Sequence, residues 1–326
     1  MKKQLKTWKF INDSLERSLP VILLYVLQSR GSSPGRVGFC MAVNANGEME
    51  GSIGGGIMEH KFVEMAKDKL RHHQIECNVY QQMHDKDSVK NQSGMICSGE
   101  QSNLMYTVQA KDSAAINKLI ICLQNNKAGT LRLSPYGIEF DKEVPEEVVR
   151  FDYQGEDEKG WIYEERIGFK NELHIIGAGH CALALSKVAA TLDFYINLYD
   201  DRENLETYFL NEFAHKKTII KDYAELKHLI SSGNNTYVVV MTVGYRTDDI
   251  VVRSLFGKEF KYFGVLGSQK KIEKMFSVYR LEGMENNVLE KIHAPAGLAI
   301  KSQTPEEIAI SIAAEIIGVK NADLKG

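Results

Sequence analysis

The segment Gly177-Ala178-Gly179-His180-Cys181-Ala182 follows the apolar run Leu173-His174-Ile175-Ile176 and has the spacing of residues that bind the pyrophosphate of a dinucleotide. Gly177 permits a tight turn, Gly179 lets the backbone approach an anion, and Ala182 lets the next helix pack on its strand. His180 falls at the start of that helix, where unpaired amide N–H groups face the anion. A second apolar stretch ends in Asp200-Asp201-Arg202, near the roughly 20-residue spacing at which an acid meets a ribose hydroxyl. A glycine turn without a ligand needs only the first of these features. Strand, helix, second strand and terminal acid together favour a ligand.

Three other segments offer similar chemistry, each open to a second reading. Gly51-Ser52-Ile53-Gly54-Gly55-Gly56 precedes an amphipathic helix pattern. Consecutive glycines cost conformational entropy, which either an anion cradled by their amides or a tight turn with close backbone packing would justify. Gly267-Ser268-Gln269-Lys270-Lys271 offers amides, a hydroxyl and cations to an anion, or simply an N-cap serine with solvated lysines. Cys97 sits in the polar loop Ser93-Gly94-Met95-Ile96-Cys97-Ser98-Gly99 and is the cysteine best placed to be reactive, with a buried inert thiol the alternative.

The elements that must position these residues alternate after about residue 170. Strands are expected at 173–176, 195–199, 218–220, 237–243 and 262–266, and helices at 182–192, 203–213, 223–230 and 248–256. That is the pattern of a doubly wound parallel sheet, which binds ligands beyond the carboxyl ends of its strands where strand order reverses. The loops to watch are 177–181, 200–202, 242–248, including Thr242, and 267–271. Thr304-Pro305-Glu306-Glu307 reads as a capping box ahead of a structural helix. In the first half, strands are expected at 20–28 and 39–43, with a helix after the triple glycine.

A length of 326 residues suggests two domains, 1–165 and 166–326. Forty basic against 43 acidic residues leave a net charge of −3, which disfavours nucleic acid as a partner. No apolar run approaches the length of a membrane span and residues 1–19 are too polar for a signal peptide, so a cytoplasmic protein away from membranes is expected. The five cysteines lack zinc-ligand or disulfide spacing, and His72-His73 reads as solvated surface.

Taken in order, Gly31-Ser32-Ser33-Pro34, the Gly51 to Gly56 turn with Glu59, the Cys97 loop, Gly177-Ala178-Gly179-His180, Asp200-Asp201-Arg202, Gly267-Ser268 with Lys271, and Pro295-Ala296-Gly297-Leu298 resemble the XdhC/CoxI family. These are the molybdenum-cofactor handling accessory proteins of xanthine dehydrogenase and related molybdenum hydroxylases. The resemblance implies a C-terminal Rossmann-like α/β domain with a doubly wound parallel sheet, preceded by an α+β domain of the XdhC/CoxI type. It also implies a chaperone that binds the molybdenum cofactor, as molybdopterin or its dinucleotide form. The chaperone holds the cofactor while a cysteine desulfurase-type donor supplies sulfur, then passes it to an apo-molybdenum hydroxylase.

On this resemblance Gly54, Gly55, Gly56, Gly177, Gly179, His180, Ala182, Asp200, Asp201, Arg202, Thr242, Gly267 and Ser268 bind cofactor, and Cys97 contacts the metal or its sulfur. The chain departs from the family pattern at Thr242-Val243-Gly244-Tyr245, where Thr-His-x-His is common. It also departs at Ile57, where cysteine is common, at Ser98, and at Ala299 in place of aspartate. The glycine motif alone would equally suggest an NAD(P)-dependent oxidoreductase, and the lost histidines a nucleotide-binding scaffold. A homodimer is the default expectation for assembly.

Overall fold

The computed structural model describes residues 2–83, 99–143, 149–153 and 160–322. The chain divides into two compact units, Met1–Gly168 and Phe169–Gly326.

In the first unit α1 (Lys2–Glu16) precedes β1 (Val21–Gly31), β2 (Cys40–Asn44), β3 (Met49–Gly51), α2 (Gly56–Arg71), β4 (Cys77–Met83) and β5 (Gly99–Thr107). These strands form an antiparallel sheet in the order β3-β2-β1-β5-β4. The central β1 is buried from Val21 to Leu27 without a break, which is why its sequence is a continuous apolar run rather than an alternating one. Met58, Phe62, Ala66 and Leu70 of α2 pack on Ile22, Leu24 and Val26 of one face. Next come α3 (Ser113–Gln124), β6 (Gly129–Ser134), β7 (Gly137–Asp141), β8 (Val149–Tyr153) and β9 (Trp161–Ile167), the strands making a second antiparallel sheet in the order β7-β6-β9-β8.

The second unit is the expected parallel sheet. Its strands are β10 (Asn171–Ile176), β11 (Phe194–Asp200), β12 (Lys216–Ile219), β13 (Gly233–Val240) and β14 (Phe260–Val265). The helices are α4 (His180–Thr191), α5 (Glu206–Leu210), α6 (Leu226–Leu229), α7 (Tyr245–Leu255), α8 (Gln269–Leu281), α9 (Asn286–Leu289) and α10 (Pro305–Asn321). Strand order is β12-β11-β10-β13-β14, all parallel, so the chain winds outward from β10 and reverses between β10 and β13. Ala182, Leu185 and Ala189 of α4 pack on one face with Ile312 and Ile316 of α10. Val251 and Val252 of α7 pack on the other with Ile272 and Met275 of α8.

Two expected helices are shorter than their apolar patterns. The 203–213 pattern gives only α5, because Asn211 stops it: its side-chain Oδ1 accepts the amides of Phe213 and Ala214, both at 3.2 Å, and its Nδ2 donates to the Ser186 hydroxyl. The 223–230 pattern begins as a 3₁₀ turn capped by Asp222 before α6. The strand expected to end at 243 stops at Val240, since the Thr242 amide donates to Asp248 at 3.1 Å rather than into the sheet.

Candidate functional site

At the reversal point the ends of β10 and β13 lie side by side, with Ile176 in register with Val240, and each runs through a glycine into a helix. Gly177 adopts φ +99°, and a Cβ there would collide with the Met241 carbonyl and stand 2.9 Å from the Thr242 Cα. The first glycine is therefore required by the fold itself. Gly179 is different. It caps α4 in ordinary extended geometry, φ −74° and ψ −170°, and a Cβ built on it meets nothing within 4 Å. No side chain caps α4, so the open space above Gly179 faces helix amides that carry partial positive charge. Gly244 caps α7 beside it in the same way, also without a side-chain cap and with open space where its Cβ would be.

His180 begins α4, and Ala182 is fully buried against the sheet, where a larger side chain would push the helix away. Asp200 ends β11 with no exposed surface. Its carboxylate accepts the Ala178 amide at 2.6 Å, the Arg202 amide at 2.9 Å, and Nε and Nη2 of Arg202, both at 2.8 Å. Burial alone would raise its pKa, but the Arg202 side chain and the two amides outweigh burial and hold the carboxyl below the ordinary aspartate value. Asp200, the acid expected at a ribose, braces the glycine turn from beneath with a carboxylate engaged by two amides and the Arg202 guanidinium. Asp201 is the exposed neighbour, its Oδ1 accepting the Tyr223 hydroxyl at 3.0 Å.

Beyond β13, Thr242 is likewise turned inward. Its hydroxyl bonds to Asp248 at 2.5 Å and to Thr247 at 2.5 Å. Asp248 is fully buried and pairs with Lys271, which also donates to the Leu266 carbonyl at 3.2 Å. The Thr242-Asp248-Lys271 network therefore stitches the loop after β13 and α7 to the start of α8. Ser268 caps α8, its hydroxyl accepting the Lys271 amide at 3.3 Å, so the Gly267-Ser268 turn is occupied by its own N-cap, and an added Cβ at Gly267 would meet Lys271 at 2.9 Å.

In the first unit, the expected anion of the triple-glycine turn is supplied by the chain. The Glu59 carboxylate accepts the Ser52 hydroxyl at 2.6 Å, the Ile53 amide at 2.8 Å and the Gly55 amide at 3.0 Å, while the Gly54 amide donates to the Ser52 hydroxyl at 3.1 Å. Gly54, at φ +130°, lies so close to the Pro34-Gly35 backbone that a Cβ would stand 2.5 Å from the Gly35 amide nitrogen. The cradle assigned to Gly54, Gly55 and Gly56 is thus a self-filled turn packed against a second loop. Gln101 staples the two loops: it accepts the Gly35 amide at 2.9 Å and donates to the Ile53 carbonyl at 3.1 Å. Sequence reasoning missed Gln101 and the bracing role of Asp248, because a buried amide or carboxylate has no spacing signature.

Comparison with known proteins settles the lineage. Residues 173–316 match the XdhC Rossmann domain and residues 14–80 match the XdhC and CoxI family. The chain belongs to the XdhC and CoxI family. Over 309 residues it is 24% identical to YqeB of Escherichia coli (strain K12), a match that covers 94% of this chain but 44% of that protein, so the chain spans less than half of that relative's length. Over 322 residues it is 23% identical to a Bacillus subtilis (strain 168) protein named as a probable xanthine dehydrogenase subunit, covering 93% of this chain and 94% of the relative. A crystal structure described as a xanthine dehydrogenase from Bacillus halodurans shares the fold, with a TM-score of 0.71 and 22% identity over 98% of this chain and 97% of that one.

In this XdhC and CoxI chain, the tip of the loop after β13 carries Val243, 76% exposed, beside the open Gly244. Cys97 lies outside the described residues. Among the described thiols, burial pushes Cys40 up to about 12 and Cys77 to about 11, and raises Cys122 and Cys181, so all four favour the inert protonated form. Among the described residues no group of three or more His, Cys, Asp or Glu is placed to hold a metal ion, and no helix is long and apolar enough to cross a membrane.

Proposed function

We propose that this chain is an accessory protein of a xanthine dehydrogenase-type molybdenum hydroxylase, and that its second unit binds the molybdenum cofactor by the nucleotide end of its dinucleotide form. It holds the cofactor while a cysteine desulfurase-type partner supplies sulfur, then delivers it to the apo-hydroxylase. The observation that carries this reading is the start of α4. The chain caps α8 with Ser268 and α10 with Thr304, and it closes the loop before α2 with Glu59, which accepts the amides of Ile53 and Gly55. At the sheet's reversal point it leaves α4 without a side-chain cap, behind a glycine that the protein itself does not crowd.

A pyrophosphate fits that opening, because it needs amides and space rather than acids and bases. Gly179 and the first amides of α4, from His180 onward, would hold it, and Gly244 would leave room for a second part of the ligand. When bound, the cofactor supplies a metal-bearing pterin, and the residues of this chain bind and shield it. Cys97 is the residue proposed to reach the metal or its sulfur, and a homodimer is the proposed assembly.

The test is analysis of protein purified from its native host for fluorescent pterin, molybdenum and nucleotide, with Gly179→Val alongside. Copurifying pterin and molybdenum that are lost in the variant are expected. Tightly bound NAD(P) with turnover of a carbonyl substrate would replace this reading with an oxidoreductase, and nucleotide without pterin or turnover would reduce it to a scaffold.

A further inference from the structure

We propose, on the basis of the nucleotide reading above, that the site takes a ribonucleotide with free ribose hydroxyls, and that Asp201 rather than Asp200 recognises them. The Asp200 carboxylate already accepts two main-chain amides and two guanidinium N–H groups. Its roughly four acceptor positions are filled, and it has no surface from which to meet a ligand. A ribose hydroxyl has nothing there to donate to.

Arg202 is equally committed. It grips Asp200 through Nε and Nη2, and turning it toward a 2′-phosphate would strand a buried carboxylate without its cation, which is strongly unfavourable. The charges of Asp200 and Arg202 therefore offset each other, and Asp201 stands beside them as an exposed carboxylate after the end of β11. Asp201 is 41% exposed, with Oδ1 held by the Tyr223 hydroxyl at 3.0 Å and Arg202 Nε standing 4.0 Å away. Burial, followed by the nearby carboxylates of Asp200 and Asp201, raises the pKa of Tyr223, so the phenol stays protonated and keeps donating. Oδ2 of Asp201 is then the acceptor for a ribose diol, while a phosphate at the 2′ position would meet a like charge.

Calorimetry on the full chain, with ADP, CDP and GDP, their 2′-deoxy forms and their 2′-phosphorylated forms, tests this. The preferred ribonucleotide is expected to bind about tenfold tighter than its 2′-deoxy counterpart, as a hydrogen bond to a charged acceptor allows, and the 2′-phosphorylated form more weakly still. Asp201→Asn should bring the ribo and deoxy forms within about twofold of each other at an unchanged melting temperature, by weakening the ribo form more than the deoxy form, which keeps only its 3′-hydroxyl. An undiminished ribose preference in Asp201→Asn overturns the assignment, as does its loss in a folded Asp200→Asn protein. If no nucleoside diphosphate binds at all, the nucleotide reading falls as well; binding that ignores the ribose sinks only the assignment to Asp201.

Discussion

The turn before α2 and the turn before α4 are written in similar residues and differ in where their loop amides go. Both place glycines between a strand and a long helix, and both helices start with a glycine cap, Gly55 and Gly179. Four residues past the cap, α2 carries Glu59 and α4 carries Leu183. Glu59 folds back onto the amides of Ile53 and Gly55 and fills its own cradle, whereas Leu183 cannot. The acid beside each turn thus acts differently: Glu59 takes amides up to the cap glycine of α2, while Asp200 takes the Ala178 amide and leaves the space at Gly179 open.

The largest effect expected from breaking this comparison is at glycines the backbone itself requires. Gly177→Ala and Gly54→Ala each force a side chain into a positive-φ conformation and against neighbouring main chain. Each should cost about 3 kcal/mol or more, a fall in melting temperature on the order of 10 °C that thermal denaturation would detect. Gly179→Val should do the reverse: the melting temperature stays within a degree or two of the parent, because its Cβ enters open space, while nucleotide affinity falls more than about tenfold by calorimetry, a loss of roughly 1.4 kcal/mol. A Gly179→Val protein that binds as well as the parent would place the ligand elsewhere.

Glu59→Ala should cost about 1 kcal/mol, the net worth of a typical hydrogen bond, and should open the loop before α2. Inorganic phosphate is then expected to raise the melting temperature of the variant and not that of the parent. Indifference of the variant to phosphate would show that an empty glycine turn is not enough to bind an anion.

The smallest effect concerns acid. The folded-state pKa of Asp200 is depressed, so its contribution to stability is complete above its unfolded value of about 3.9. That contribution is lost as pH falls through the lower folded value. Denaturant melts should therefore lose part of their stability across this window in the parent. In Asp200→Asn the same window should be flatter, on a baseline lowered by the weaker brace beneath the turn.

Much of the architecture was readable in one dimension. Apolar runs with glycine breaks at regular spacing marked five parallel strands and placed Gly177, Gly179 and Ala182 at a strand-to-helix turn, because periodicity and backbone permissiveness are local properties. Helix α1 was not anticipated, and Asn211 and Asp222 shortened two others through side-chain bonds to their own backbone, which periodicity does not register.

The sequence by itself determined that this chain would build a parallel sheet with a glycine turn at its centre and would carry acids and an arginine at the end of the second strand. Only the tertiary structure decided which of those groups face outward. Asp200 and Arg202 neutralise each other beneath the loop, Lys271 is spent on Asp248, Glu59 plugs one turn, and Gly179 stands clear. The physical reason is that a polar group is available to a ligand only if no partner within hydrogen-bonding reach has already satisfied it. Those partners come together through folding, often from 20 or more positions away along the chain, as Lys271 does to Asp248.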